Sequence, residues 1–267
     1  MALGSGAARG LAHIGVLEVL QRESIPIDMI AGASAGALIG AICAQGKDCS
    51  LVKDLAISID LKRMISLVDP VLAKSGLIGG RKVINLLRGI IGEDVKFEDL
   101  KIPFACVATD IITGEEVVIR RGSVLEAIRA SMAIPGIFTI VKLNDRYLAD
   151  GILVNPVPVN VVKEMGADFV IAVNVVPHLN ERASYLKDQK SKPTSKAPNI
   201  FSVMMQSLYI GTYALVRSSL EGADVVIQPK VAQIHPTEFN RAQEMIRQGE
   251  LAAKAAIPEI KRLLGAY

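Results

Sequence analysis

The amino-acid sequence predicts an α/β fold with a mostly parallel sheet, and three observations support that prediction. Short apolar segments typical of strands alternate with segments in which apolar residues recur at helical spacing. A strand, a very tight turn and a helix are predicted in direct succession between Met29 and Cys43. The 267 residues, 51% of them hydrophobic, suffice for one sizeable domain or at most two small ones.

The chain opens with a predicted strand, a glycine-rich loop and a helix. Met1–Leu3 is the strand, and so short a strand suggests that the natural chain begins several residues earlier. The loop Gly4–Gly10 follows, and helical spacing of apolar residues starts at Leu11. The stretch Met29–Cys43 then repeats the order of strand, turn and helix.

The region from about Ser50 to Leu100 is predicted to be mainly helical and to cover the face that carries the second turn. Three of its apolar residues are candidates for a lid or an acyl channel, although ordinary core packing is the commoner role of such side chains. These candidates are Leu72, Leu77 and Ile78. The predicted helices are Leu51–Ile59, Leu61–Leu67 and Gly80–Ile91.

The second half of the chain continues the alternation of strands and helices. Asp110–Gly114 is a predicted turn, and Pro135 with Gly136 ends a helix and starts a loop. The predicted strands are Phe104–Thr109, Glu116–Arg120, Arg146–Ala149 and Phe169–Asn174, and the predicted helices are Ser123–Met132 and Val159–Met165.

The C-terminal part begins with a polar stretch, His178–Asn199, which is predicted to be a solvated, mobile loop. The apolar helix Ile200–Leu220 that follows suits a buried helix, a dimer surface or a membrane-facing patch, in that order. A last strand and two further helices are predicted at Val225–Gln228, Arg241–Gln248 and Leu251–Leu264.

Composition narrows the classes of function. A net charge of +3 is too small to indicate nucleic-acid binding, although mild basicity is compatible with an anionic membrane surface. Cys43, Cys49 and Cys106 lack metal-ligand spacing and favour a reducing cytosol, and three scattered histidines argue against a histidine-rich metal site. No signal peptide is recognised, and the longest apolar run, Ile30–Ala44, is too short to span a bilayer. We therefore expect a cytoplasmic protein that is either soluble or attached to membranes only at their surface.

The second turn contains the pattern Gly32-x-Ser34-x-Gly36, which is typical of a nucleophile elbow. In such an elbow the serine hydroxyl lies at the N-terminus of the following helix, where backbone N–H groups favour negative charge. Chance alone gives about 0.1 such matches in a chain with 22 glycines, so the pattern needs partners before it indicates a nucleophile.

The glycine-rich loop suits either a dinucleotide or an oxyanion. The dinucleotide fingerprint fails, because Arg9 stands where its third glycine would be when the motif is counted from Gly4. The same loop could instead present backbone N–H groups to a developing oxyanion. Dinucleotide binding therefore remains only as a weak alternative.

A serine nucleophile needs a group that accepts its proton. His13 lies inside a predicted helix, and His178 and His235 lie beside prolines in loops, so nothing marks any of them as catalytic. The order of residues along the chain alone still permits His178 or His235. Asp150 ends a predicted strand and precedes Gly151. The dipeptide Asp-Gly more often marks a plain turn than a catalytic acid. Asp150 is nevertheless the stronger candidate because of its neighbours in the motifs described next.

Four blocks, in order, make the sequence resemble the patatin-like phospholipases, specifically their compact bacterial branch. The resemblance runs from Leu3 to about Asn174 and weakens in the C-terminal helices. It implies a three-layer α/β/α sandwich with a mainly parallel sheet. The blocks are Gly4–Gly10, Gly32–Gly36, Ala130–Phe138 and Asp150-Gly151.

The resemblance also implies the chemistry. Ser34 would attack an ester carbonyl, and Asp150 would accept its proton and later activate water. The N–H groups of Gly6, Ala7 and Ala35 would form the oxyanion hole, and Arg9 would order the loop or meet a lipid phosphate. The supporting residues would be Gly4, Arg9, Gly10, Gly32, Gly36 and Gly151.

The resemblance implies a lipid or ester substrate, with neither metal nor cofactor, and no nucleic-acid partner. Transient contact with the inner membrane surface and a homo-oligomer are both compatible with it. We expect a single domain over residues 1–267, with a catalytic core over about 1–176, the loop over about 178–199 and a helical part over about 200–267.

Three positions differ from the usual family pattern. Ser5 and Ala7 replace loop glycines, and Ile152 follows Asp150-Gly151 where the family commonly has glycine or alanine. Ile152 and the apolar helix Ile200–Leu220 motivate an alternative, a regulatory or interaction module with weak or no hydrolysis.

Overall fold

The computed structural model describes residues 1–47, 49–58, 70–73, 76–178 and 199–265. Three predicted features lie outside this described part: the helix Leu61–Leu67, residues 179–198 of the polar stretch, and the side chains of Leu72 and Leu77. In the ranges that are described, no helix is both long enough and apolar enough to cross a membrane.

The described elements alternate largely as expected. The helices are α1 (Ala12–Arg22), α2 (Ala35–Ala44), α3 (Cys49–Ser58), α4 (Arg81–Ile91), α5 (Val124–Ser131), α6 (Val159–Glu164), α7 (Ile200–Ser219) and α8 (Ala242–Leu264). The strands are β1 (Ala2–Leu3), β2 (Ile30–Ala33), β3 (Pro70–Ala73), β4 (Gly76–Ile78), β5 (Phe104–Asp110), β6 (Glu116–Ile119), β7 (Gly136–Phe138), β8 (Val141–Leu143), β9 (Arg146–Asp150), β10 (Ile171–Val173) and β11 (Val225–Ile227).

The central sheet has the strand order β11-β10-β1-β2-β5-β9-β8, and β6 also pairs with β5. The pairs from β11 through β5 are parallel, whereas β6 and β9 are antiparallel to β5, and β8 is antiparallel to β9. The predicted α/β fold with a mainly parallel sheet is therefore confirmed.

One edge of β5 is shared by two strands placed end to end. β2 pairs with β5 as far as Val107, and β9 pairs with it from Ala108 onward. β6 pairs with Cys106 through Thr109 and so overlaps both, which places it on the opposite edge. Because a strand has only two edges, β2 and β9 must follow one another along the same one.

Helices cover both faces of this sheet, because alternate strand residues point to opposite sides. Leu3, Ile30 and Phe104 pack in one apolar core with α1, α2, α5 and α8. Their neighbours Ala2, Ala31 and Ala105 pack in the other with α6. Two cores on either side of one sheet make the three-layer α/β/α sandwich.

The C-terminal helices differ from expectation. The predicted helices Arg241–Gln248 and Leu251–Leu264 are one helix, α8, which runs through Gly249 and contains Pro258. The prediction of two helices was wrong because Gly249 is a packing position: a Cβ added there would lie 1.9 Å from the carbonyl oxygen of Ala12 in α1.

The helix α7 is buried on one side only. Thr212 and Val216 are buried, whereas Ile200, Met204 and Ile210 are 76%, 52% and 51% exposed. The first interpretation of this helix, a buried helix, therefore holds for one side only.

A second, smaller sheet was not predicted. It has the order β3-β4-β7, and β7 lies where a loop was expected to start at Gly136. Ile78, a candidate for a lid or an acyl channel, is half-buried in β4 and pairs with Phe138 of β7.

The hairpin partner of β9, strand β8, was also missed. Asn144 and Asp145 join the two strands with positive φ angles, as two-residue hairpin turns require.

Candidate active site

The turn between β2 and α2 holds Ser34 in an unusual backbone conformation, with φ 53° and ψ −119°. Non-glycine residues rarely adopt such angles, and they persist only where the surrounding structure enforces them. Close packing supplies that enforcement here. A Cβ added at Gly36 would lie 2.1 Å from the carbonyl oxygen of Leu3, and one at Gly32 would lie 2.5 Å from that of Gly36.

Ser34 and Asp150 meet at this turn. The Ser34 Oγ donates a hydrogen bond to Asp150 Oδ2 at 2.6 Å, and the second oxygen, Oδ1, accepts from the Ile152 N–H at 2.9 Å. Asp150 is 0% exposed and Ser34 is 4% exposed. The register of β5 brings them together, since Ser34 directly follows the residue paired with Val107, and Asp150 is paired with Ala108.

The buried carboxyl of Asp150 is poised to exchange a proton near neutral pH. Burial raises its pKa from 3.8 to about 7, and this effect outweighs the hydrogen bonds from Ser34 and Ile152, which lower the pKa. A base whose pKa lies near neutrality can accept a proton and return it within one reaction cycle.

The glycine-rich loop is anchored at several points beside this turn. The N–H groups of Gly4, Ser5 and Ala8 donate to the carbonyls of Val173, Pro156 and Pro236, respectively. A Cβ added at Gly10 would lie 2.3 Å from the Cβ of Ala35, so the loop packs directly against the start of α2.

Several backbone N–H groups beside this turn have no acceptor among the residues that the structure describes, and three of them lie where the resemblance expects donors. These three belong to Gly6 and Ala7 in the loop and to Ala35 at the start of α2. Ala7 has a φ of 49°, so an alanine adopts here the left-handed conformation that glycine reaches more easily. These N–H groups are the ones that the resemblance assigns to an oxyanion hole.

Arg9 is buried and ties the loop to a distant segment. Its Nε donates to the Ile234 carbonyl at 2.7 Å. This contact fits a role in ordering the loop, whereas burial does not fit a side chain that meets a lipid phosphate.

Each of the three histidines contacts a partner other than Ser34 and Asp150. His13 is fully buried, its Nε2 donates to the Gly4 carbonyl at 2.7 Å, and burial lowers its pKa from 6.5 to about 4. His178 contacts the hydroxyl of Tyr213, and His235 contacts that of Thr237. The hydroxyl of Ser34 donates to Asp150 and not to a histidine.

Three residues to which the sequence analysis gave no role support Ser34 and Asp150, and two of them, Ser131 and Ala133, lie in the block Ala130–Phe138. The Ser34 N–H donates to Ser131 Oγ at 2.8 Å, Thr109 Oγ1 donates to the Asp150 carbonyl at 2.8 Å, and the Asp150 N–H donates to the Ala133 carbonyl at 3.0 Å. No spacing rule reveals these contacts. They join residues on different elements, so they follow from the packing of the end of α5 and of strand β5 against Ser34 and Asp150.

Comparison with known proteins agrees with this architecture. The family model described as patatin-like phospholipase matches residues 1–163. An uncharacterized NTE family protein of Mycobacterium tuberculosis is 39% identical over 175 residues, covering 66% of this chain and 48% of that protein. Neuropathy target esterase of Drosophila melanogaster is 33% identical over 180 residues, covering 66% of this chain and 13% of that protein.

The chain thus spans about half the length of the mycobacterial relative and a small part of the fly protein. Among solved structures, VipD from Legionella pneumophila is similar with a TM-score of 0.51 and 14% identity, over 94% of this chain and 66% of that chain. That likeness supports the fold. Because the family model matches 163 of the 267 residues, the chain belongs to the patatin-like phospholipase family.

Proposed function

We propose that the protein is a serine acyl hydrolase that cleaves carboxylic esters of lipids, with Ser34 as nucleophile and Asp150 as base. The observation that carries this proposal is the 2.6 Å hydrogen bond from Ser34 Oγ to Asp150 Oδ2 in a buried site. Family membership and the name of the esterase relative from Drosophila support ester hydrolysis. The apolar helix α7, which contacts the turn Gly151–Leu153 beside Asp150, supports a lipid as substrate.

The first half of the reaction forms an acyl-enzyme. Ser34 Oγ attacks the ester carbonyl carbon while its proton passes to Asp150 Oδ2. The N–H groups of Gly6, Ala7 and Ala35 stabilise the oxyanion of the tetrahedral intermediate. When the intermediate collapses, the C–O bond to the alcohol breaks, and Asp150 returns the proton to the leaving oxygen.

The second half releases the acid. Asp150 takes a proton from a water molecule, whose oxygen attacks the acyl carbonyl and forms a second oxyanion in the same place. Collapse of this intermediate breaks the bond to Ser34 Oγ, and the proton on Asp150 returns to that oxygen. The products are a carboxylic acid and the free serine.

Labelling with a fluorophosphonate, followed by intact-mass measurement, tests this proposal. We expect one label on the wild type and none on Ser34→Ala or Asp150→Asn, because the first lacks the nucleophile and the second lacks the base. Ser123→Ala and Asp145→Asn are matched controls outside the site and should label like wild type. Labelling of either site variant near the wild-type rate would exclude the dyad.

The exposed apolar side of α7 favours a second candidate, an interaction module with weak or no hydrolysis. Its partner would be a membrane surface or another copy of the chain. Failure of the folded wild type to label would favour this candidate over the hydrolase. The N–H groups of Gly6, Ala7 and Ala35, which have no acceptor in the described ranges, lie beside a buried serine–carboxylate pair and speak for the hydrolase.

A further inference from the structure

The hydrogen-bond ladder between β2 and β5 is interrupted at Ser34. The ladder begins where the Ile30 N–H donates to the Pro103 carbonyl at 2.9 Å. Parallel pairing continues with Ala33 opposite Val107, so a regular ladder would next join the Ser34 N–H directly to the Val107 carbonyl. The positive φ of Ser34 turns the chain away from β5 at this point.

The hydroxyl of Ser131 occupies the interruption. Its Oγ accepts from the Ser34 N–H at 2.8 Å and donates to the Val107 carbonyl at 2.6 Å, so it bridges the two groups of the missing ladder bond. Ser131 is fully buried, and both of its contacts are made to backbone groups.

The segment at the C-terminal end of α5 also contacts Asp150. Two residues after Ser131, the carbonyl of Ala133 accepts from the Asp150 N–H at 3.0 Å. Nearby, a Cβ added at Gly151 would lie 2.4 Å from the Val107 oxygen, which shows how closely the chain after Asp150 passes the bridge. One short segment therefore contacts Ser34 and Asp150 at once.

We infer that Ser131 is a positioning residue for the nucleophile, and that its hydroxyl holds Ser34 in the strained conformation by replacing the direct ladder bond. Without that hydroxyl, the Ser34 N–H loses its acceptor, and the turn is no longer held away from the Val107 carbonyl. A movement of the turn toward that carbonyl draws Ser34 Oγ away from Asp150. The inference rests on the proposed function for its effect on rate, but its geometric part is independent of catalysis.

Two measurements on the full chain test the inference. The first is the rate constant of fluorophosphonate labelling per folded molecule, with the folded fraction measured by circular dichroism. The second is hydrogen exchange of the Ser34 amide, followed by NMR in protein labelled with 15N-serine. The variants are Ser131→Ala, which deletes the hydroxyl, and Ser131→Cys, which keeps a weaker donor and acceptor.

Ser123→Ala is the matched control, because it makes the same substitution at the other end of α5. There the hydroxyl accepts from the Glu126 N–H as the helix cap and has no contact with Ser34. We expect it to label within about twofold of the wild type. A loss of rate that came merely from weakening α5 would appear in this control.

We expect Ser131→Ala to label at least about tenfold more slowly than wild type and Ser131→Cys to lie between them. The Ser34 amide should exchange faster in both variants than in wild type. If Ser131→Ala does not fold, Ser131→Cys decides by the same two measurements. A labelling rate within about twofold of wild type in the deciding variant, or an unchanged amide, overturns the inference. If the wild type itself does not label, the proposed function fails while the amide still tests the bridge.

Discussion

At Asp150, burial and hydrogen bonding act in opposite directions on one carboxyl group. Two donors, Ser34 Oγ and the Ile152 N–H, favour the ionised form, whereas the loss of water favours the neutral form and has the larger effect. Ile152 contributes its N–H through the backbone, so an isoleucine supplies this contact as well as glycine or alanine would. The unusual residue at this position is therefore compatible with a working base.

The raised pKa of Asp150 predicts how reactivity depends on pH. Below about 7 the carboxyl is mostly protonated and cannot accept the proton of Ser34, so the labelling rate constant should rise with pH by roughly tenfold per unit. Above about 7 it should level off. Labelling with one fluorophosphonate from pH 5 to 9 measures this, with circular dichroism at each pH to show that the fold persists. A rate constant that does not change across this range would contradict the assignment of Asp150 as base.

At the scale of elements, helix crossings bring backbone against backbone. The helices α1 and α8 meet where a Cβ added at Gly15 would lie 2.0 Å from the Ile246 carbonyl oxygen, and one at Gly249 would lie 1.9 Å from that of Ala12. The Lys53 ammonium of α3 bridges the same pair through Glu18 and Glu250, at 2.9 and 3.0 Å. Because α1 directly follows the glycine-rich loop in the chain, the packing of α1 against α8 helps to fix the position of that loop.

Glycine-to-alanine substitutions should have opposite effects at this crossing and at a helix position that has open space around it. Gly249→Ala should lower the free energy of unfolding by about 1–3 kcal/mol, because the new methyl group forces two backbones apart. Gly89→Ala in α4 meets nothing within 4 Å and should raise it by about 0.5–1 kcal/mol through helix propensity. Urea unfolding followed by circular dichroism measures both. Equal effects of the two substitutions would show that the close approach does not determine stability.

At the scale of the whole molecule, the sequence predicted what depends on local pattern. The alternation of elements, the turn at Ser34 and the position of Asp150 at a strand end all follow from residues that are close in the chain. The second sheet could not be predicted in this way, because β7 pairs with β4 across about sixty intervening residues. The three residues of β7 also carry no alternating pattern. The role of Ser131 was missed for the same reason: its partners, Ser34 and Val107, lie on other elements.

Two buried groups in different parts of the molecule predict opposite dependences of stability on pH. His13 has a folded pKa of about 4, below the unfolded value of 6.5, so the unfolded chain binds the extra proton and stability falls as pH decreases from 6.5 to 4. Asp150 has a folded pKa of about 7, above the unfolded value of 3.8, so stability falls as pH increases from about 4 to 7. Each pKa unit of difference corresponds to about 1.4 kcal/mol.

Single substitutions should separate these two contributions. Relative to wild type, His13→Gln should gain stability as pH decreases from 6.5 to 4.5, and Asp150→Asn should gain it as pH increases from 4.5 to 7.5. Urea unfolding at four pH values measures both, with the exposed His235→Gln as control. If both differences from wild type stayed constant with pH, neither buried group would govern the acid and base limits of the fold.

The shared edge of β5 also limits which changes of chain length the protein can accept. One residue inserted into β2 would carry Ser34 one place past Ala108, the residue that pairs with Asp150, to the level of Thr109. One residue deleted from β9 would shift Ala149 or Gly151 into the place opposite Ala108 that Asp150 now fills. The two-residue turn Asn144-Asp145 lies at the far end of β9, where an insertion lengthens only a loop. Natural variants of this protein should therefore vary in length at that turn and keep β2 and β9 at constant length.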